Sequence, residues 1–274
     1  MKILVIGGTG YIGSAVVRRL SEAGHEPLVL VRDPDERPAA PSRTGDLTDP
    51  ASLRRAVTPE IDAVVHAATP TDSWDTDLAA LAALTDTLEG RTLVYLSGIW
   101  VLGRSAEAVD ESAHTNPIPI VSERPRLERH VLDATGVRGV VIRPGIVHGA
   151  GGGIPGMMVA WARAAGTGRY VGEPTVRWPM VHVDDLADLV LLALDRARAG
   201  SVLHAVSESS VAVKELAVEA DLAAGGSGQA EAWPVDDAAT ELGEPFAEAL
   251  ALDQEVVAPA ARELGWAPYR RRRM

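Results

Sequence analysis

The stretch Ile3-Leu4-Val5-Ile6-Gly7-Gly8-Thr9-Gly10-Tyr11-Ile12-Gly13 places three glycines three residues apart, directly after a short apolar run. A strand, this turn and a helix in that order predict a βαβ unit that binds a dinucleotide. Gly7 permits a tight turn, Gly10 leaves room for a pyrophosphate, and Gly13 lets the helix pack close to the strand. Helix amides then favour the diphosphate, whereas a glycine-rich turn with no ligand is the alternative. The residues expected to contact the cofactor here are Gly7, Thr9, Gly10, Tyr11, Ile12 and Gly13.

The end of the second predicted strand bears on which nicotinamide nucleotide binds. An acidic residue at this point would hydrogen-bond the ribose 2′-hydroxyl of NAD. The chain instead has Arg32, whose guanidinium can pair with the 2′-phosphate of NADP. We therefore predict NADP(H) as the preferred cofactor. NAD(H) is the alternative, because a shift of one residue would bring Asp33 to the ribose.

Short apolar runs alternate with amphipathic stretches along most of the chain. This alternation predicts an α/β fold, a Rossmann-type doubly wound parallel sheet with helices on both faces. The predicted strands are Ile3–Ile6, Leu28–Val31, Ala63–His66, Leu93–Leu96, Val140–Ile142 and Ser201–Val206. The predicted helices are Ile12–Glu22, one from Pro50 capped by Asp49, Leu78–Leu88, one from Ser122 to Asp133, Gly156–Ala165, Asp184–Arg196 capped by Asp184, Val213–Ala223 and one near Glu255–Leu264.

The alternation loosens after Pro144, where His148–Gly156 holds five glycines and a proline and is predicted to be a loop. We expect the dinucleotide-binding domain to comprise residues 1–146 with 183–206. A smaller C-terminal substrate-binding cap is expected to comprise residues 147–182 with 207–274.

Composition excludes several classes of protein. A net charge of −12 over 274 residues argues against nucleic acid and anionic membranes as partners. The absence of cysteine excludes disulfides, thiolate metal sites and a cysteine nucleophile. With no signal peptide or membrane span in the sequence, we expect a cytoplasmic protein. Its scarce lysine is typical of GC-rich bacterial genomes, and the basic run Arg270–Arg273 is predicted to be a solvated tail.

The order and spacing of six segments resemble the extended short-chain dehydrogenase/reductase superfamily, in its NAD(P)-dependent epimerase/dehydratase group. The resemblance implies that Asp46 and Leu47 lie beside the adenine, that Ala67 and Ala68 line the cofactor, and that Pro144 backs the nicotinamide. It also implies a small-molecule substrate and pairing of two copies as a homodimer. The segments are Gly7–Gly13, Gly45–Leu47, Val64–Ala68, Val94–Ser97, Arg143–Gly149 and Val181–Ala187.

The catalytic set of this family is missing. Members use a serine or threonine and a Tyr-x-x-x-Lys motif, in which the tyrosine transfers the proton and the lysine holds the ribose. No tyrosine of this chain is followed by lysine at that spacing. Alignment on Glu128 places Ile120 and Arg124 at the tyrosine and lysine positions, and alignment on Val94–Gly103 places Gly98 at the serine position. The chain therefore resembles an atypical subgroup of the family.

Hydride transfer needs a group that stabilises charge on the substrate oxygen, at the carboxyl ends of the strands. Ser97, Arg124 and His148 are the candidate catalytic residues, His148 as a general acid near neutral pH. Their alternatives are a structural hydrogen bond, a surface arginine and a hydrogen-bonded loop histidine. The candidate substrate-binding residues are Trp100, Tyr170 and Trp178, for which apolar packing is the alternative.

Three functions remain open from the sequence. The first is an NADP(H)-dependent oxidoreductase acting on a small carbonyl or imine compound. The second is an epimerase or dehydratase that retains its cofactor, which usually needs a strong base. The third is a dinucleotide-binding sensor that has lost catalysis.

Overall fold

The computed structural model describes residues 1–33, 35–71, 73–105 and 107–272. Its strands are β1 (Lys2–Ile6), β2 (Glu26–Val31), β3 (Ser42–Thr44), β4 (Ala63–His66), β5 (Thr92–Leu96), β6 (Arg138–Pro144), β7 (Ile146–His148), β8 (Gly168–Val171), β9 (Arg177–His182), β10 (Ser201–Ala205), β11 (Glu208–Ala212) and β12 (Ala230–Trp233). Its α-helices are α1 (Tyr11–Glu22), α2 (Pro50–Ala56), α3 (Trp74–Thr85), α4 (Arg124–Leu132), α5 (Gly153–Ala165), α6 (Val183–Arg196), α7 (Val213–Ala224), α8 (Val235–Leu242), α9 (Glu244–Leu250) and α10 (Pro259–Glu263).

Seven parallel strands form the large sheet, in the order β10-β6-β5-β4-β1-β2-β3. The strand order reverses between β1 and β4, which creates a crevice at their carboxyl ends. This confirms the predicted fold class. None of the described helices is both long and apolar enough to cross a membrane.

Alternation along each strand sends successive side chains to opposite faces of the large sheet. Ile3 and Val5 pack with Val16 of α1 and Leu186 of α6 on one face. Leu4 and Ile6 belong to the core on the other face, which includes residues of α2, α3 and α4. Because both faces are covered, the strands are apolar throughout, as the sequence indicates.

A smaller core lies beside the large sheet. Two small sheets, β11-β9-β7 and β12-β8, supply it together with helices that include α5 and α7. Val256, Ala258, Ala261 and Trp266 instead pack with the large-sheet core. These four residues belong to the stretch predicted for the cap, residues 207–274, and the bounds of the cap stay a prediction.

Local chemistry explains where the observed elements differ from the predicted ones. His148 lies in β7 and not in a loop, because Ile146–His148 pairs with β9. Helix α4 begins after Ser122, since Pro125 lies in its first turn. Asp184 is not the cap of α6; the Nδ1 atom of His182 accepts from the Asp184 amide at 3.1 Å. The strands β3, β8, β9, β11 and β12 and the helices α8 and α9 were not predicted.

Two arginines of the basic run, Arg270 and Arg272, form ion pairs with the fold, whereas Arg271 is exposed as predicted for a tail. Arg270 donates to the fully buried carboxylate of Asp185 at 2.5 Å and to Asp188 at 2.7 Å. Arg272 pairs with Glu219 at 2.9 Å. The prediction failed for Arg270 and Arg272 because the pattern of charges does not show that acidic residues of α6 and α7 face this segment. Arg273 lies outside the described residues.

Candidate active site

The glycine turn is built around two close backbone contacts. A Cβ on Gly7 would stand 2.6 Å from Ala68 Cα, and one on Gly13 would stand 2.0 Å from Gly7 O. A Cβ on Gly10 would meet only Gly7 O, at 3.3 Å. Gly7 and Gly13 are therefore required by the fold itself, whereas the side of the turn at Gly10 is open.

The open side of the turn fits a diphosphate. Gly10 precedes α1, and no side chain caps that helix. The first-turn amides, which include those of Tyr11 and Ile12, are therefore available to an anion. The exposed residue Thr9 lies at the tip of the turn. Ala67 and Ala68 lie against Gly7, so they line the same crevice between β1 and β4.

The residues predicted to bind the adenosine part of the cofactor lie near the end of β2. Arg32 is exposed at the end of β2, and its charge helps to lower the pKa of Asp46, after hydrogen bonds from Thr48. The Asp46 carboxylate accepts from the Thr48 amide at 2.8 Å, which fixes the turn that carries Leu47. Leu47 is half-buried against the core beneath. A cation and an apolar side chain thus flank the end of β2.

A cavity of about 500 Å³ opens beside the turn, at the carboxyl ends of β4, β5 and β6. It brings together six of the predicted site residues: Tyr11, Ile12, Ser97, Trp100, Arg124 and Pro144. Its remaining wall is mostly apolar and includes Trp74, Ile99, Ile120, Val121 and Ile154. Sequence analysis missed Trp74 and Ile154, although Trp74 shortly follows the end of β4, where ligands of such sheets bind.

Two polar side chains in this cavity have unpartnered atoms. The Ser97 side chain is 8% exposed, and its Oγ has no hydrogen-bond partner among the described residues. The buried Nε of Arg124 also has none. Buried atoms of His66, Arg143, His148 and His204 also lack a partner among the described residues, but Ser97 and Arg124 line the same cavity, which indicates a ligand site.

Tyr11 cannot replace the missing catalytic tyrosine. Its hydroxyl donates to the Gly149 carbonyl oxygen at 2.8 Å, which commits the proton within the protein. Burial, and then the charge of Asp184, raise the pKa of Tyr11 far above its usual range. Tyr11 therefore shapes the cavity wall without supplying a proton.

The alignment made from the sequence assigns positions 98, 120 and 124 to the catalytic set of the family, and all three line the cavity. Ile120 and Arg124 both line the cavity, one in the 3₁₀ turn Pro119–Val121 and the other at the start of α4. A Cβ on Gly98 would lie 3.8 Å from Arg124 Nη1. The three positions of the family's catalytic set thus surround one space, although the residues there are Gly98, Ile120 and Arg124.

His148 does not fit the predicted role of general acid. Its side chain is only 1% exposed and is not part of the cavity wall described above. It packs edge-on against His182, with ring centroids 5.3 Å apart. Burial, followed by the charges of His182 and Arg272, lowers the pKa of His148 to about 4, so the ring is neutral at pH 7. The structure therefore places His148 in β7, with its ring turned into the protein and away from the cavity.

Tyr170 and Trp178 are not substrate-facing. Both belong to the smaller core, with Tyr170 7% and Trp178 2% exposed. The indole of Trp178 donates to the Leu250 carbonyl at 3.2 Å. Their positions in β8 and β9 direct them into apolar packing, which was the alternative for each.

The model of the NAD dependent epimerase/dehydratase family matches residues 3–206. The chain belongs to this family. The resemblance seen in the motifs is therefore confirmed.

Several curated proteins are similar to this family member. The protein C2A9.02 of Schizosaccharomyces pombe is 34% identical, over 79% of this chain and 78% of its own length. The protein YLL056C of Saccharomyces cerevisiae is 31% identical, over 98% and 95%. The human epimerase family protein SDR39U1 is 30% identical, over 79% and 78%. Relatives occur in fungi, mammals and bacteria, so a bacterial source stays a prediction.

Solved structures share the fold. Human SDR39U1, crystallised with NADPH, has a TM-score of 0.79 at 24% identity and covers 98% of this chain and 95% of its own. UDP-glucose 4-epimerase of Thermus thermophilus, crystallised with NAD, has a TM-score of 0.77 at 21% identity and covers 98% and 94%. Both structures therefore have the same overall fold as this chain.

Proposed function

We propose that this protein is an NADP(H)-dependent reductase of a small carbonyl compound, which works without the Tyr/Lys pair. The observation that carries the proposal is the pair of unpartnered polar groups, Ser97 Oγ and Arg124 Nε, in the cavity beside the glycine turn. A carbonyl oxygen that gains negative charge needs hydrogen-bond donors and positive charge at the same place.

Separate residues bind the cofactor and stabilise the reacting group. NADP(H), when bound, supplies or accepts the hydride. The glycine turn and the amides of α1 hold its diphosphate, and Arg32 selects the 2′-phosphate. Ser97 Oγ donates its proton toward the substrate oxygen and regains one from solvent, while Arg124 lowers the free energy of the developing alkoxide. The mostly apolar wall lowers the effective dielectric constant around both groups, which strengthens both interactions.

Relatives support reduction over the other functions. The chain is 29% identical to 2-alkyl-3-oxoalkanoate reductase of Stenotrophomonas maltophilia and 26% identical to 2'-dehydrokanamycin reductase of Streptomyces kanamyceticus. An epimerase or dehydratase needs a strong base, and neither Ser97 nor Arg124 is one. Arg177, near where nucleotide-sugar enzymes hold phosphate by resemblance, is bound to Asp253 and Glu255, each at 2.8 Å. This disfavours a nucleotide-sugar substrate.

Turnover of NADPH with a panel of aldehydes, ketones, enones and imines tests the proposal. We expect Ser97→Ala to lower kcat by about 100-fold, as removal of one oxyanion donor does, with NADPH affinity unchanged. Ser122→Ala, an exposed serine beside α4, is the matched control. Tight NADPH binding with no turnover on the whole panel would reject the reductase in favour of a sensor.

Cofactor preference has its own test. Arg32→Ala should weaken NADPH binding by about tenfold or more and leave NADH binding unchanged, because only NADPH carries the 2′-phosphate. Arg54→Ala, another exposed arginine, is the control. Tighter binding of NADH than NADPH by the unchanged protein would contradict the preference.

A further inference from the structure

Arg124 is the one charged side chain among the described residues that line the cavity. Its guanidinium makes no ion pair or hydrogen bond within the described chain, and its Nε is buried. Arg124 as a whole is half-buried, and its Nε is shielded from water without a hydrogen-bond acceptor, which is unusual for a buried polar atom.

The neighbouring carboxylates are already committed. Glu128, one helical turn along α4, binds Arg143 at 2.6 Å. Glu123, which precedes α4, lies 3.8 Å from Arg126. Asp77 accepts from the Thr71 amide at 3.0 Å. None of the carboxylates in the described part of the chain pairs with Arg124, so a ligand that binds there can supply the anion.

The positive charge of Arg124 also lowers the pKa of a buried histidine. Burial first, and Arg124 in addition, lower the pKa of His66 to about 4. His66 is neutral at pH 7 for this reason and does not compete with Arg124 for an anion.

The cavity places the required anion close to the reacting carbonyl. A Cβ on Gly98 would lie 3.8 Å from Arg124 Nη1, and Gly98 directly follows Ser97. The guanidinium of Arg124 therefore lies close to the backbone that follows Ser97, so a ligand that contacts both side chains carries its anion near its carbonyl. The indoles of Trp74 and Trp100 and the side chain of Ile120 make most of the remaining surface apolar, with hydroxyl groups from Thr69 and Thr71.

We propose that Arg124 is a carboxylate subsite and that the substrate is a 2-oxo or 3-oxo acid with an apolar chain. The inference rests on the proposed reductase function and names its substrate class. The guanidinium fork binds the carboxylate bidentately. When NADPH is bound it would supply a hydride to the ketone carbon and become NADP⁺, while Ser97 Oγ gives a proton to the ketone oxygen and regains one from solvent, so that C=O becomes CH–OH.

Calorimetry of the NADP⁺-loaded protein tests the subsite without turnover. The probes are 3-hydroxyhexanoate and its methyl ester, which differ in the charge of the carboxylate and in one methyl group. We expect the unchanged protein to bind the acid about 10–100-fold more tightly than the ester, as one charged hydrogen-bonded pair provides. Arg124→Gln should remove this difference, Arg124→Lys should keep part of it, and Arg126→Gln, an exposed arginine of α4, should keep all of it.

The outcomes separate the two proposals. Equal binding of acid and ester by the unchanged protein overturns the subsite. A loss of NADP⁺ affinity in Arg124→Gln, with the preference for acid retained, also overturns it and assigns Arg124 to the nicotinamide ribose. Preference for the acid, but no NADPH oxidation by 3-oxohexanoate, leaves the subsite and rejects the reductase. Oxidation of NADPH equally by 3-oxohexanoate and its ester leaves the reductase and rejects the subsite.

Discussion

Two arginines beside α4 have opposite surroundings. Arg143 lies in β6, 6% exposed, and holds Glu128 through Nε and Nη2 at 3.1 Å and 2.6 Å. Arg124, one turn before Glu128 on the same helix, faces the cavity and has no partner among the described residues. The fold supplies a carboxylate to Arg143 but none from the described chain to Arg124, so Arg124 is available to a ligand in the cavity.

The largest effect should come from breaking the buried pair. Arg143→Met leaves Glu128 charged and buried, and we expect a loss of about 3–5 kcal/mol in the free energy of unfolding. Arg124→Met should change that free energy by less than about 1 kcal/mol, because it leaves no partner behind. Urea unfolding of both variants measures the difference. Equal losses would show that Arg124 is structural.

Buried histidines extend the comparison of paired and unpaired buried groups to the dependence of stability on pH. His148, with a pKa lowered to about 4, stays neutral in the folded protein while the unfolded chain takes up a proton below pH 6.5. Stability should therefore be complete above pH 6.5 and fall by up to about 3 kcal/mol as the pH approaches 4. His148→Gln should flatten this dependence in thermal unfolding, with His66 keeping its own share. An unchanged slope would mean that His148 is solvated.

The next smaller effect is expected in the glycine turn, where one substitution should lower stability and another should lower NADPH binding. Gly13→Ala forces a Cβ to within 2.0 Å of Gly7 O and should cost about 1–3 kcal/mol of stability. Gly10→Ala should cost less than about 1 kcal/mol, since its Cβ meets only one atom, at 3.3 Å. It should still weaken NADPH binding about tenfold, as the Cβ would occupy space needed by the diphosphate. Unimpaired binding in Gly10→Ala would place the cofactor elsewhere.

Exposed ion pairs should show the smallest effect. Arg54 and Asp86 lie 3.1 Å apart, with side chains 46% and 64% exposed. Arg54→Ala should change the free energy of unfolding by no more than about 0.5 kcal/mol. A loss similar to that of Arg143→Met would show that a partner, and not burial, decides the energy.

The large sheet and the cofactor turn could be predicted because their signals are local. The run from Ile3 to Gly13 carries strand, turn and helix in eleven consecutive residues. The position of Arg124 at the site could be predicted because Glu128, four residues later on the same helix, aligns the chain with the family. His148, Tyr170 and Trp178 could not, because their orientation depends on the pairing of short strands in the small sheets. Those strands have only three to six residues and no clear alternation.

Trp74 and Trp100 give the cavity an optical property of its own. The protein has six tryptophans, and these two lie in the cavity wall. Reduced nicotinamide absorbs near-ultraviolet light at wavelengths where indole emits, so a bound coenzyme quenches neighbouring indoles by energy transfer. Loading of this protein can therefore be followed from its intrinsic fluorescence, with no label attached.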